Sequence, residues 1–163
     1  AAPLHPYLER WECGVKAILV PDVRWIHCDI KSVALLPNVL ASQRAAERGA
    51  YEAVFVRDGA ITEGSHTNVC AVRDGRLVTY PRTHHILAGI TRQVVLELCG
   101  QLGIPVEESL VLETRLGEVD ELLLLGTITE VMPVVRVDRW QVGDGAPGSV
   151  TRRLQWAFRE LTR

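Results

Sequence analysis

With 163 residues and a net charge of −2, the chain has room for one globular domain and lacks the basic excess that nucleic acid or an anionic membrane surface demands. Apolar residues make up 47% and charged residues 23%, ordinary proportions for a globular protein. No apolar run approaches the roughly 20 residues that cross a bilayer, so neither nucleic acid nor membrane is an expected partner.

Residues 1–12 are rich in Pro, charge and aromatics without periodicity, and are predicted to be an interdomain linker or arm. They lack the charged-then-apolar pattern of a secretory signal. Met132 is the only methionine, so the chain is expected to begin partway through a longer product. Val15 to Val20 reads as a strand ended by Pro21-Asp22. Apolar spacing from Leu35 to Arg48 predicts a helix, with Pro37 in its first turn and Gly49 after its end. Tyr51 to Val56 is the next strand, and Asp58-Gly59 a turn.

The polar stretch Ile61 to Asn68 leads into Val69 to Val72. Asp74-Gly75 then turns the chain into Leu77 to Tyr80, which predicts a hairpin. Pro81 to Ala88 is a loop carrying His84 and His85, followed by a helix from Ile90 to Leu102 closed by Gly103. Pro105 to Leu112 reads as a strand and Glu113 to Val119 as a helical turn. Glu121 to Leu125 has the length and composition of a central strand buried on both faces. Val131 to Val137 is a strand interrupted by Pro133, and Gly143 to Gly148 a glycine-rich loop. A terminal helix from about Ser149 to Leu161 has Leu154, Trp156, Ala157, Phe158 and Leu161 as its apolar side. Hairpins mixed with crossing helices predict a mixed α/β, or α+β, fold.

The four cysteines have no C-x-x-C spacing, which argues against zinc ribbons and redox pairs and for a reducing, cytoplasmic setting. The histidines lack metal-ligand spacing, so no metal is expected. Among the 18 basic residues only two are lysines, Lys16 and Lys31. Lysine, unlike arginine, gives up its proton readily when buried and can then attack a carbonyl. Taken alone, Lys31 reads as a surface residue at the end of a strand.

Four polar clusters fall at element boundaries: Cys28 to Ser32, Glu63 to Asn68, Leu87 to Thr91, and Gly126 to Thr129. Each has an ordinary structural reading by itself, as a turn, an N-cap or a strand exit. Together they supply a lysine, a carboxylate and two corners of N–H and hydroxyl groups suited to an anion. Those are the parts of a pyridoxal phosphate site: an amine for the carbonyl, a carboxylate for the ring nitrogen and corners for the phosphate. The released lysine is then the natural base for moving a proton.

Cys28-Asp29-Ile30-Lys31-Ser32, Thr62-Glu63-Gly64-Ser65 with Asn68, Ile86 to Arg92, and Thr127 to Pro133 stand in order and register with the motifs of one family. Over residues 14–163 the chain resembles the class IV (fold type IV) pyridoxal-phosphate aminotransferases. Its Cys-Asp-Ile-Lys-Ser form is nearest to the D-amino acid enzymes among them. The resemblance implies an α/β pseudo-barrel of the D-amino acid aminotransferase type, residues 13–163 forming the large cofactor-binding domain. It implies pyridoxal 5'-phosphate as cofactor and Lys31 as the Schiff-base lysine and proton shuttle. Glu63 would partner the ring nitrogen, and Leu87 would pack against the ring. Gly89, Ile90, Thr91, Gly126 and Thr127 would hold the phosphate, while Ile128 and Thr129 border the substrate pocket.

Gly126 stands where relatives often have Ser, and His27 where the nearest often have Arg. Family members also carry a smaller N-terminal domain, which residues 1–12 do not replace, so the chain is expected to be weakly active or inactive alone. Implied partners are amino acid and 2-oxo acid substrates and, in the intact enzyme, a second copy in a homodimer. The expected reaction is transamination between a D-amino acid and a 2-oxo acid. A branched-chain L-aminotransferase, an aminodeoxychorismate lyase and a non-catalytic module of the same fold are the alternatives.

Overall fold

The computed structural model describes residues 8–162. Six strands close into a ring. β1 (Val15–Pro21) lies parallel to both β2 (Glu52–Arg57) and β9 (Glu130–Val137), as the long connections leaving it require. The ring then passes by antiparallel pairs from β2 to β3 (Ala60–Gly64), β4 (Asn68–Arg73), β8 (Glu121–Gly126) and back to β9. Four short strands extend it: β5 (Arg76–Thr79) and β6 (Val106–Glu108) beyond β4, β7 (Val111–Leu112) on β3, and β10 (Trp140–Gln141) on β9. The ring is weakest between β3 and β4, where one residue pair, Glu63 opposite Asn68, makes the ladder.

Strand alternation sorts the side chains into an interior and a helix-covered exterior. Val15, Ala17, Val54, Val69, Leu122 and Met132 belong to the interior cluster. On the outside, helix α2 (Leu36–Glu47) sets Ala41 and Ala45 against Ile18, Val20 and Phe55. Helices α3 (Ile90–Leu102) and α4 (Ser149–Thr162) cover Cys70, Leu123 and Leu125. β8 is thus buried on both faces, which is why its leucines run without alternation. Glu121, at the start of β8, accepts the N–H groups of Val150 (2.9 Å) and Thr151 (2.8 Å) and so caps α4 from a neighbouring strand.

Several elements differ from the sequence reading. Residues Leu8–Cys13 form a short helix, α1, instead of an arm. Its Trp11 joins the interior cluster and donates its indole N–H to Thr129 O at 3.0 Å, and residues 1–7 lie outside the described chain. The polar stretch after Ala60 is a strand, because every residue of β3 is buried between β2 and β4. Pro105 to Leu112 is two strands on different neighbours. β9 runs unbroken through Pro133, whose parallel pairing to β1 begins only one residue later, at Val134. Trp156 and Leu161 are exposed (65% and 63%), so the buried side of α4 is Val150, Leu154, Ala157 and Phe158.

Candidate active site at the β3–β4 seam

Glu63 sits at the seam and is 5% exposed. Its Oε1 accepts Nη1 of Arg24 at 2.5 Å, and its Oε2 accepts the backbone N–H of Leu87 (3.0 Å) and Nδ2 of Asn68 (3.2 Å). A carboxylate offers about four acceptor positions, so three are filled and one, on Oε1, stays open. Burial pushes the Glu63 carboxyl above its ordinary value, and the Arg24 charge pulls part of the way back.

Asn68 ties the seam to the next loop by donating to Leu87 O at 2.8 Å. That bond sets Gly89 against Asn68, so closely that a Cβ at Gly89 would come 2.2 Å from Asn68 Oδ1. Gly89 is the N-cap of α3 and no side chain caps the helix there. The first-turn N–H groups of a 13-residue helix are therefore left to an outside acceptor, beside the partly buried loop. Thr91 is buried in that turn, whereas Ile90 is 81% exposed.

The connection carrying Lys31 is pinned across the same seam. Cys28 donates its N–H to His84 O (2.7 Å), and Asn38 donates Nδ2 to Ser65 O (2.8 Å). Lys31 itself is exposed, and it makes no ion pair or side-chain hydrogen bond with a described residue. The β8–β9 hairpin closes the other side. Gly126 packs against Thr67 and His66, its Cβ position being 3.5 Å from Thr67 Cγ2 and 3.6 Å from His66 O. Thr127 and Ile128 stand exposed at the hairpin tip. Thr129, only 2% exposed, turns inward and shares a 3.1 Å bond with the Tyr51 hydroxyl.

Glu63, Leu87 and Gly89 are thus joined through direct contacts with Asn68, the loop carrying Lys31 is tied at Cys28 to the loop carrying His84, and Gly126 packs on the turn between β3 and β4. Sequence reasoning missed two residues that hold this arrangement. Glu52, fully buried, accepts Ser65 Oγ (2.6 Å), Thr67 Oγ1 (2.8 Å) and the N–H groups of Ala53 and Ser65, fixing the turn between β3 and β4. Arg24 is the other. Its Nε and Nη2 donate to the two oxygens of Asp22, both at 2.9 Å, and its guanidinium lies 4.2 Å from the centroid of the Phe55 ring. Arg57 holds Asp22 from the far side at 3.1 Å. An Arg among sixteen, or a Glu at a strand start, gives no sequence signal of such a role.

The parts suit a phosphorylated pyridine: one open acceptor position on a buried carboxylate, uncapped helix N–H groups and an amine without a partner among the described residues. The chain is 44% identical to the D-alanine aminotransferase of Bacillus licheniformis over 156 residues, 96% of this chain and 55% of that protein. It resembles the solved branched-chain amino acid aminotransferase of Escherichia coli with a TM-score of 0.85 and 34% identity, over 98% of this chain and 55% of that one. The PLP-form of the branched-chain enzyme from Thermobaculum terrenum matches with a TM-score of 0.83 and 35% identity, over 92% of this chain and 51% of that one. The chain spans about half the length of the relatives it matches. The amino-transferase class IV model matches residues 1–137, and on that match, with the site built as above, the chain belongs to the class IV amino-transferases.

Proposed function

We propose that residues 13–163 are the cofactor-binding part of a pyridoxal 5'-phosphate-dependent enzyme that transfers an amino group between a D-amino acid and a 2-oxo acid. The observation that carries this reading is Glu63, a buried carboxylate with one acceptor position open, hydrogen-bonded to the loop that opens an uncapped helix. The N–H groups of Ile90 and Thr91, with the Thr91 and Thr127 hydroxyls, hold a phosphate against the positive end of α3. Leu87 backs the ring, and the open position of Glu63 accepts the N–H of the ring nitrogen. When bound, the cofactor supplies an electron-poor ring that takes up the electrons of a broken C–H bond. Lys31 would be the amine that holds the cofactor's carbonyl carbon, and would serve as the general base that moves the proton.

The D-amino acid reading is supported by the names of the relatives at 41–44% identity, and a branched-chain L-amino acid reading by the names of the solved structures. On this reading exposed Ile128 would border the substrate side chain, and Thr129, turned inward onto the Tyr51 hydroxyl, would support that border from behind. Exposed Val33, Leu36, Val39 and Leu40 suit a second copy of the intact protein. Four free cysteines suit a reducing, cytoplasmic setting, and no helix of the described residues is long and apolar enough to cross a membrane.

Borohydride trapping tests the assignment. The 163-residue chain treated with pyridoxal phosphate and then borohydride is expected to carry one added pyridoxyl phosphate, on the Lys31 peptide, and the Lys31→Ala variant none there. Label on Lys16 or the terminal amine at equal rate, with Lys31 unlabelled, would sink the reading.

A further inference from the structure

A carboxylate that meets a pyridine nitrogen shares one proton with it, and the proton rests on the more basic partner. Burial favours the protonated form of Glu63, so left alone this carboxyl would tend to hold the proton itself. The ring would then lose the positive charge that draws electrons from the substrate. What opposes this is a built arrangement behind Glu63. Arg24 and Asp22 have side chains 6% and 0% exposed, Arg24 spans from Asp22 to Glu63, and Phe55 covers the guanidinium face. Arg57 completes a run of two acids and two bases with no net charge. Asp22 is held ionised: burial would raise its carboxyl, but the hydrogen bonds from Arg24 and Arg57 bring it below its ordinary value.

Resting on the functional reading above, we propose that Arg24 is the positioning residue that keeps Glu63 an acceptor, so that the shared proton rests on the ring nitrogen. Arg24 touches neither ring nor substrate and acts only through Glu63 Oε1. It also sets direction. By occupying one side of Oε1 while Leu87 and Asn68 fill Oε2, it leaves a single acceptor position for the ring N–H. The charged and titratable groups facing Glu63 are Arg24 and Asp22, with Arg57 behind them and the Cys28 thiol beside. Removing Arg24 should therefore weaken the Glu63 acid, while removing the Asp22 charge should strengthen it. A loss of packing alone would not give opposite signs.

The test begins with the cofactor-free 163-residue chain carrying 13C in its Glu side-chain carboxyls, with Glu63→Gln assigning the signal. In Arg24→Met the Glu63 acid dissociation constant is expected to fall about tenfold or more. In Arg24→Lys it should stay close to wild type, and in Asp22→Asn it should rise. A second arm adds pyridoxal phosphate with 15N in its ring: a protonated ring nitrogen is expected in wild type and Arg24→Lys, an unprotonated one in Arg24→Met. Should Arg24→Met fail to fold, Asp22→Asn still decides, since it keeps the Arg24–Glu63 pair and predicts a rise. Coincident titrations of Glu63 in all variants would overturn the role of Arg24. A wild-type chain that binds no labelled ring would overturn the functional reading and the ring assignment with it, even with the carboxyl titrations as expected.

Discussion

Asp22 has a fully covered side chain, yet every acceptor direction it offers is used by a cation or an N–H: Arg24 through its backbone and guanidinium, Arg57 through its own. Because the folded carboxyl lies below its ordinary value of 3.8, the unfolded chain binds the proton more readily. The stabilisation from Asp22 is then fully present above that ordinary value and is lost as pH falls through the folded one. Asp22→Asn is expected to cost about 3–5 kcal/mol at neutral pH, since it leaves a buried guanidinium short of its partner. Urea unfolding from pH 7 to pH 2 should show the gap between wild type and variant constant at first and closing only below about pH 4. A gap that stayed constant to pH 2 would mean that Asp22 is not held ionised by its neighbours. At this scale the sequence was informative where a residue type is rare and silent where it is common. Lys31 stood out as one of two lysines. Arg24, Asp22 and Glu52 look like any other charges until the fold buries them together.

Among the elements, α3 was legible from both ends. Gly89-Ile90-Thr91 opens it and Gly103 closes it in a left-handed conformation (φ +66°). The strand β3 was not, because Thr62, Glu63 and Gly64 read as a polar turn and become a strand only between two neighbours supplied from elsewhere in the chain. Helix α1 is too short to show a period, and it is held from elsewhere in the chain, by the Trp11 indole on Thr129 O and by Gln155 on Trp11 O. The exposed Trp156 shows the reverse error, an apolar residue assigned inward because the helix around it is amphipathic. The junction of α3 with the β3–β4 seam rests on Gly89. In Gly89→Ala the new Cβ would meet Asn68 Oδ1 at 2.2 Å, and Asn68 must move off Leu87 O or Glu63. The expected loss of stability is about 1–3 kcal/mol, that of a disturbed buried hydrogen bond. Pyridoxal phosphate should bind at least about tenfold more weakly, the equivalent of about 1.4 kcal/mol. Equilibrium dialysis beside thermal unfolding separates the two effects. Unchanged binding with lowered stability would show that the seam and the helix N-terminus do not form one site.

Over the whole molecule, the ring of six strands has its weakest closure at the proposed cofactor site, since one residue pair joins β3 to β4 at Glu63. Three loops far apart in sequence converge there: residues 22–35, 81–89 and the β8–β9 hairpin. They converge with one side open. Lys31, Ile90, Thr127 and Ile128 are all exposed in the described chain, so water reaches the lysine amine and the residues proposed to hold a phosphate. On the proposed reading, capture of the cofactor needs only those groups, whereas fast proton transfer needs a substrate held in one pose with water kept out. The two functions should therefore separate in this chain. Cofactor-loaded protein, verified as 163 residues, is expected to be labelled at Lys31 but to transaminate D-alanine with 2-oxoglutarate well below the about 10 s⁻¹ typical of enzymes. A coupled assay for pyruvate, run beside one with L-leucine, reads both rate and handedness. Turnover at an ordinary enzymatic rate would mean that the open side is closed by groups already in this chain, and the exposure of Lys31 would then have to vanish when the ring binds.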